Sequence, residues 1–160
     1  MKIGIIGPNR VNNESVADRQ EMLLKLAKIV AISGDEVVLT PDKDSLLEYF
    51  GHKYLEQGGK KIWLVIPQED TEQEGFLNAE IGEVISCQSW DNQADEFNRQ
   101  SDIFVCVGYA WGGLKEIACA QYFNKKKIYI LNEFISSKLP EELNFLIEYI
   151  SIDELSQKLN

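Results

Sequence analysis

The sequence predicts an α/β fold: a Rossmann-like, doubly wound parallel sheet in a three-layer α/β/α sandwich, with residues 1–160 forming one domain. Three observations predict it. Short apolar blocks such as Val37-Val38-Leu39, Ile62 to Ile66 and Ile103 to Val107 have strand length. Stretches with helical spacing separate these blocks, and glycine or proline marks many of the joins. Strands this short and this apolar suit a parallel sheet covered on both faces, and right-handed crossovers turn the alternation into a doubly wound sheet.

Lys2 to Gly7 reads as a buried strand ending on glycine. Glu14 to Ser33 then places Met22, Leu23, Leu26, Ala27, Val30 and Ala31 on one helical face, and Gly34 supplies the stop. Glu36 to Thr40 is a second strand cut off by Pro41. Asp44 to Gln57 has helical spacing through Leu46, Leu47, Phe50, Tyr54 and Leu55, closed by Gly58-Gly59, and Lys61 to Ile66 is a third strand. Pro67 to Glu80 is acidic and polar, which predicts a solvated connection, with a mobile lid as the alternative. Glu83 to Cys87 is a fourth strand, Gln93 to Gln100 a short helix and Asp102 to Val107 a fifth strand. A helix from about Leu114 to Asn124, a strand at Ile128 to Leu131, a possible short strand near Glu148 to Ile150 and a helix from Ile152 to Leu159 complete the chain.

Composition removes several function classes. With 26 acidic against 16 basic side chains and a net charge of -10, a polybasic grip on nucleic acid or an anionic bilayer is not expected. The one dense basic cluster, Lys125-Lys126-Lys127, falls between a helix and a strand and reads as a solvated turn. With 44% hydrophobic residues the chain is not composed like a disordered one. No apolar run approaches the ~18 residues of a membrane span, and Met1 opens directly into a strand, so a cytoplasmic location is expected. Cys87, Cys106 and Cys119 lie in apolar stretches without metal or redox spacing and read as core thiols. His52 is the only histidine, which makes a histidine metal site or a Ser-His-Asp triad a poor fit, and nothing calls for a cofactor.

In open α/β sheets, ligands gather at the carboxyl ends of the strands where the winding reverses. Three segments fall there: Gly7-Pro8-Asn9-Arg10, Thr40 to Ser45, and Gly108-Tyr109-Ala110-Trp111-Gly112-Gly113 leading to Glu116. Gly112-Gly113 at a helix start would bare N–H groups and the positive end of the helix dipole toward an anion. Glu116, expected on the first turn, has three open roles: accepting hydrogen bonds from a ribose, polarising a glycosidic bond, or favouring the helix N-terminus. Trp111 would stack on a base or plug the core, the latter preferred. Arg10 has the chemistry to clamp a phosphate, although an arginine in a turn is commonly just a surface residue. Asp42, Lys43 and Asp44 make a mixed-charge turn without glycine, which argues against a phosphate cradle after the second strand.

Taken together, these residues resemble the Lonely Guy family and the wider SLOG group of Rossmann-like proteins, many labelled lysine decarboxylase-like. The family's G-G-G-x-x-G-L-M motif falls on Thr40 to Leu47, followed at the expected distance by Gly58-Gly59 and a strand ending at Pro67; the spacing is kept and every motif glycine is replaced. Its P-G-G-x-G-T-x-x-E motif falls on Gly108 to Glu116, where Gly112 and Glu116 match. In active members the glutamate works with an arginine on the preceding helix to cleave the bond between a base and ribose 5'-phosphate. Gln93 stands at that arginine's position, and Arg99, six residues on, is expected to point elsewhere.

The resemblance therefore implies a divergent SLOG-type protein that binds a nucleotide-derived or other small anionic ligand through Gly7, Pro8, Asn9, Arg10, Gly108, Tyr109, Trp111, Gly112 and Gly113. Glu116 is the candidate catalytic residue. It also implies a homodimer, since active members pair through helices near the site. Two alternatives stay open: a nucleoside 2-deoxyribosyltransferase-like enzyme in which Glu116 attacks the anomeric carbon, and a non-catalytic scaffold subunit.

Overall fold

The computed structural model describes residues 1–8, 16–123 and 126–159. Seven parallel strands form one sheet in the order β4-β3-β2-β1-β5-β6-β7. The strands are β1 (Lys2–Ile6), β2 (Glu36–Leu39), β3 (Ile62–Ile66), β4 (Glu83–Ser86), β5 (Ile103–Cys106), β6 (Ile128–Leu131) and β7 (Ile147–Ile150). The helices are α1 (Val16–Ser33), α2 (Leu46–Glu56), α3 (Gln73–Phe76), α4 (Gln93–Gln100), α5 (Trp111–Ala120) and α6 (Ile152–Lys158). The expected α/β sandwich is present, with the possible strand near Glu148 realised as β7 beside β6.

Alternation along the strands divides the core into two layers. Ile3 and Ile5 of β1, Val37 and Leu39 of β2, and Leu64 and Ile66 of β3 face α1, α2 and α6, where Leu26, Val30, Phe50, Tyr54 and Leu155 are buried. Ile6, Val38, Val65, Phe104 and Cys106 face the other way, onto Phe97 of α4 and Ile117 and Ala120 of α5. Burying one large apolar side chain of this kind is worth about 1.5–3 kcal/mol, so both faces of the sheet are strongly held. Tyr54 is fully buried, and its hydroxyl is satisfied by donating to the Asp35 carbonyl at 2.6 Å and accepting from the Lys60 N–H at 2.8 Å.

Winding runs outward from β1 through β2 and β3 to β4, then returns across the sheet to β5 on the other side of β1. The reversal lies between β1 and β5, which pair from Ile3↔Ile103 to Ile6↔Cys106. The carboxyl ends of these two strands are therefore where a crevice is expected.

Three sequence expectations change. Pro67 to Glu80 is largely exposed, as a solvated connection is, but it also carries α3 and is tied to the loop after β2 by Lys43 N–H to Phe76 O at 2.7 Å, Asn78 N–H to Pro41 O at 3.0 Å and an antiparallel bridge between Asp42 and Leu77. Lys126 is not a solvated turn residue. Its ammonium donates to the main-chain carbonyls of Asn98 and Ser101, closing the C-terminus of α4, where a cation is favoured by the helix dipole. Lys125 lies outside the described residues.

The third change concerns α5, which starts at Trp111 rather than near Leu114. Ala110 takes an extended conformation (φ -145°) and its carbonyl receives the Leu114 N–H at 2.8 Å, so the helical bonding begins three residues early.

Candidate functional site

The chain leaves β1 through Gly7 and Pro8; Asn9 and Arg10 lie outside the described residues. It leaves β2 through Thr40, Pro41 and Asp42. The exit from β5 turns at Gly108, whose φ of +127° is a conformation that favours glycine, and whose missing Cβ would sit 3.0 Å from Pro8 Cδ and 3.4 Å from the Arg19 guanidinium. These exits surround a cavity of about 180 Å³ lined by Gly7, Thr40, Asp42, Phe76, Trp90, Gln93, Gly112, Gly113 and Glu116.

Four sequence-predicted residues thus meet at one place: Gly7, Gly112, Gly113 and Glu116. Gly112 and Gly113 are the second and third residues of α5, inside its N-terminal turn. A Cβ on Gly113 would meet Ile6 Cγ2 at 2.8 Å, so this glycine lets the helix lie against β1. Gly112 has nothing within 4 Å of a would-be Cβ and leaves the N-terminal amides open to approach.

Glu116 is the sixth residue of α5, on its second turn and not its first, so stabilising the helix N-terminus drops out of its three open roles. Only 7% of it is exposed. Burial pushes its carboxyl up to about 8, and the Asp42 carboxylate across the cavity adds to the rise. A carboxyl in this state holds its proton near neutrality and is able to donate as well as accept a hydrogen bond.

Gln93, at the position where the resemblance expects an arginine, does face Glu116 across the cavity, with its side-chain amide donating to Val65 O at 3.1 Å. Arg99 points away, as expected: it pairs with Glu96 at 3.1 Å and lies over the Phe123 ring. The arginine chemistry of the active family is therefore missing at this wall of the cavity.

The remaining described candidates are not among the lining residues of the cavity. Tyr109 packs against the layer beneath α4 and α5, next to Tyr149 of β7, and burial raises its hydroxyl. Trp111 is 89% exposed, which overturns its expected role as a core plug. It is the first residue of α5. Among the thiols, Cys87 and Cys106 are buried and pushed up to about 11 and about 12 by desolvation, while Cys119 is only partly covered.

Sequence reasoning missed four participants. Phe76 and Trp90 line the cavity while 54% and 37% exposed, and the available signal was a lone aromatic in an otherwise polar segment. Asp42 was read only as part of a mixed-charge turn. Arg19, beside the Gly108 turn, had no local signal because helical spacing made it look like any residue of α1. Among the described residues there is no cluster of His, Cys, Asp or Glu suited to a metal ion, and no helix is long and apolar enough to cross a membrane. A larger cavity of about 550 Å³, lined by Lys43, Asp44, Glu48, Gln73, Glu74 and Asn78 among others, contains none of the residues singled out above as ligand-binding or catalytic.

No protein-family model and no curated protein matches this chain. Solved structures do. The chain is similar to the molybdenum cofactor binding protein of the phototrophic bacterium Rippkaea orientalis, with 16% identity and a TM-score of 0.76 over 99% of this chain and 94% of that one. It is also similar to the molybdenum cofactor carrier protein of Chlamydomonas reinhardtii, with 19% identity and a TM-score of 0.74 over 99% and 97%. DNA processing protein A of Helicobacter pylori, described for its single-stranded DNA binding mode, aligns with 17% identity and a TM-score of 0.64 over 99% of this chain and 80% of that one. At these identities the likeness speaks for the fold alone, and the fold is the Rossmann-like one that the SLOG resemblance implies.

Proposed function

We propose that this protein binds a small, anionic, nucleotide-like ligand at the carboxyl edge of β1, β2 and β5, and that it is a binding protein rather than a phosphoribohydrolase. The observation that carries this reading is the pairing of Glu116, nine-tenths buried at the cavity, with Gln93 where a catalytic arginine would be needed. The start of α5 offers open amides at Gly112 to an anionic group. Arg19 adds a cation beside the adjoining turn. Two of the similar structures are described as a molybdenum cofactor binding protein and a molybdenum cofactor carrier protein, which supports a binding role. The net charge of -10 counts against nucleic acid as the partner.

The test is a thermal-shift screen against nucleotides, nucleosides and sugar phosphates. A ligand at 100 times its dissociation constant adds about 2.7 kcal/mol of stability, enough to raise the transition by several degrees. Stabilisation by at least one anionic member is the expected result. A flat response across the panel would leave the scaffold reading in its place.

The second reading, an enzyme acting on an N-glycosidic bond, is favoured by one feature: a buried carboxyl raised to about 8 is suited to proton transfer near neutrality. Release of free base from nucleosides, abolished by Glu116→Gln, would establish it. The proposal also includes a cytoplasmic homodimer. Trp111 and Tyr122 lie exposed along and just beyond α5, on a line that also carries Lys115 and Ala118, and exposed aromatic side chains beside one helix are suited to an interface. Sedimentation at micromolar concentration is expected to give the mass of a dimer.

A further inference from the structure

The larger cavity, of about 550 Å³, lies apart from the candidate site and falls within the size range of small-molecule pockets, about 300–1,000 Å³. Every residue that lines it is a described one. The turn before α2, the first turn of α2, α3 and the segment after α3 bring carboxylates to it from Asp44, Glu48, Glu74 and Glu80. Among the described residues none of these four forms an ion pair. Lys43 is the one basic residue in the lining, and its ammonium donates to the main-chain carbonyl of Glu74 at 2.6 Å rather than to a carboxylate. The negative charge of the lining is left unbalanced, and a cleft of one sign concentrates ligands of the other.

A second observation is independent of charge. Gln73 on α3 is only 9% exposed, yet its side-chain amide makes no hydrogen bond among the described residues. Its main-chain N–H goes to Asp70 O at 3.0 Å and its main-chain carbonyl takes the Leu77 N–H at 2.8 Å, so the amide in the cavity wall is what remains to be satisfied. An ammonium group of a ligand, donating to the amide oxygen, supplies that partner. The start of α2 offers no competing anion site, because Ser45 Oγ receives the Glu48 N–H at 3.1 Å and Glu48 Oε2 receives the Asp44 N–H at 2.7 Å.

The carboxylates are spread along the cavity rather than gathered: no three acidic groups among the described residues are placed to hold a metal ion. The apolar side chains of Ile66, Leu77 and Val84 share the lining with them. We propose that this cavity binds a linear aliphatic polyamine, with its ammonium groups on the carboxylates and the Gln73 amide oxygen and its methylene chain against Ile66, Leu77 and Val84. Ammonium–carboxylate hydrogen bonds are charge-assisted, and burial of the methylenes separates a polyamine from a simple cation. This is a second site, for a ligand of opposite charge to the one proposed at β1, β2 and β5.

Calorimetric titration of the full chain with spermidine at fixed ionic strength tests this. Saturable one-to-one binding is expected, and magnesium chloride at matched ionic strength should not displace the polyamine. Glu74→Gln combined with Glu80→Gln, both exposed positions, should weaken spermidine by about ten-fold or more. Glu21→Gln combined with Glu141→Gln removes the same charge from exposed positions elsewhere and should leave binding unchanged. Spermidine should also shift the side-chain amide resonances of Gln73 in the unaltered protein, a readout that stands even if a variant fails to fold. Absence of saturable binding, equal weakening by the two double variants, displacement by magnesium, or an unmoved Gln73 amide would each overturn the polyamine site.

Discussion

The side-chain amide of Asn98 donates to the main-chain carbonyl of Glu116 at 3.1 Å and to that of Ala94 at 2.9 Å, so one fully buried residue ties the helix carrying Gln93 to the helix carrying Glu116. Asn98→Ala removes both bonds from a site that water cannot reach. A loss of about 1–3 kcal/mol in urea unfolding is expected. An unchanged midpoint would mean that α4 and α5 are held by packing alone.

The buried Glu116 carboxyl has a pH signature. Its folded value of about 8 lies above its ordinary 4.5, so the folded state binds its proton more tightly than the unfolded state does. This contribution favours folding at low pH, fades as pH rises from 4.5 toward 8, and is fully lost above that. Glu116→Gln is expected to flatten the stability profile across that window and to exceed the parent above pH 8 by on the order of 1 kcal/mol or more. A parallel profile in parent and variant would contradict the burial of an ionisable group there.

Two neighbouring glycines should respond in opposite ways. Gly113→Ala drives a Cβ to 2.8 Å from Ile6 Cγ2, and overpacking of that kind costs about 1–3 kcal/mol. Gly112→Ala meets nothing within 4 Å and replaces a poor helix former, so its stability should hold or rise by roughly 0.5–1 kcal/mol. Its place at the cavity means that ligand affinity, not folding, is where Gly112→Ala is expected to show a loss. Thermal unfolding of the two variants side by side gives the comparison.

Hydrolysis of AMP should be absent or very slow. Gln93 cannot supply the charge of an arginine, and losing one transition-state charge interaction costs ~10²–10³ in rate. Chromatography of a long incubation with AMP is expected to show no adenine. Rapid release abolished by Glu116→Ala would mean that Glu116 works without the arginine.

Lys126→Met should shorten α4 from its C-terminus. The ammonium bonded to the carbonyls of Asn98 and Ser101 is lost, leaving those groups short of a donor, at a cost of about 1–2 kcal/mol. Faster hydrogen exchange confined to the end of α4 and the start of β5 would report it.

Much of this architecture was legible in the sequence because it depends on local periodicity. Apolar blocks such as Ile62 to Ile66 bury both faces and alternate between two helix layers, which a strand does whatever its neighbours are. The meeting of Gly7 with Gly112 and Glu116 was legible too, because parallel strands with right-handed crossovers bring their exits to one edge.

What only the tertiary structure decided is the environment of individual side chains. Glu116 is buried because α5 starts at Trp111 and turns that position toward the loop after β2, where Asp42 happens to stand, 74 residues away in sequence; no local pattern encodes that encounter. The same shift in helix start left Trp111 exposed, and the path of the chain after α5 carried Lys126 back to the end of α4. Periodicity sets which face a residue takes on its own element, whereas burial, charge state and partners depend on which elements pack against that face, and packing is a property of the whole chain.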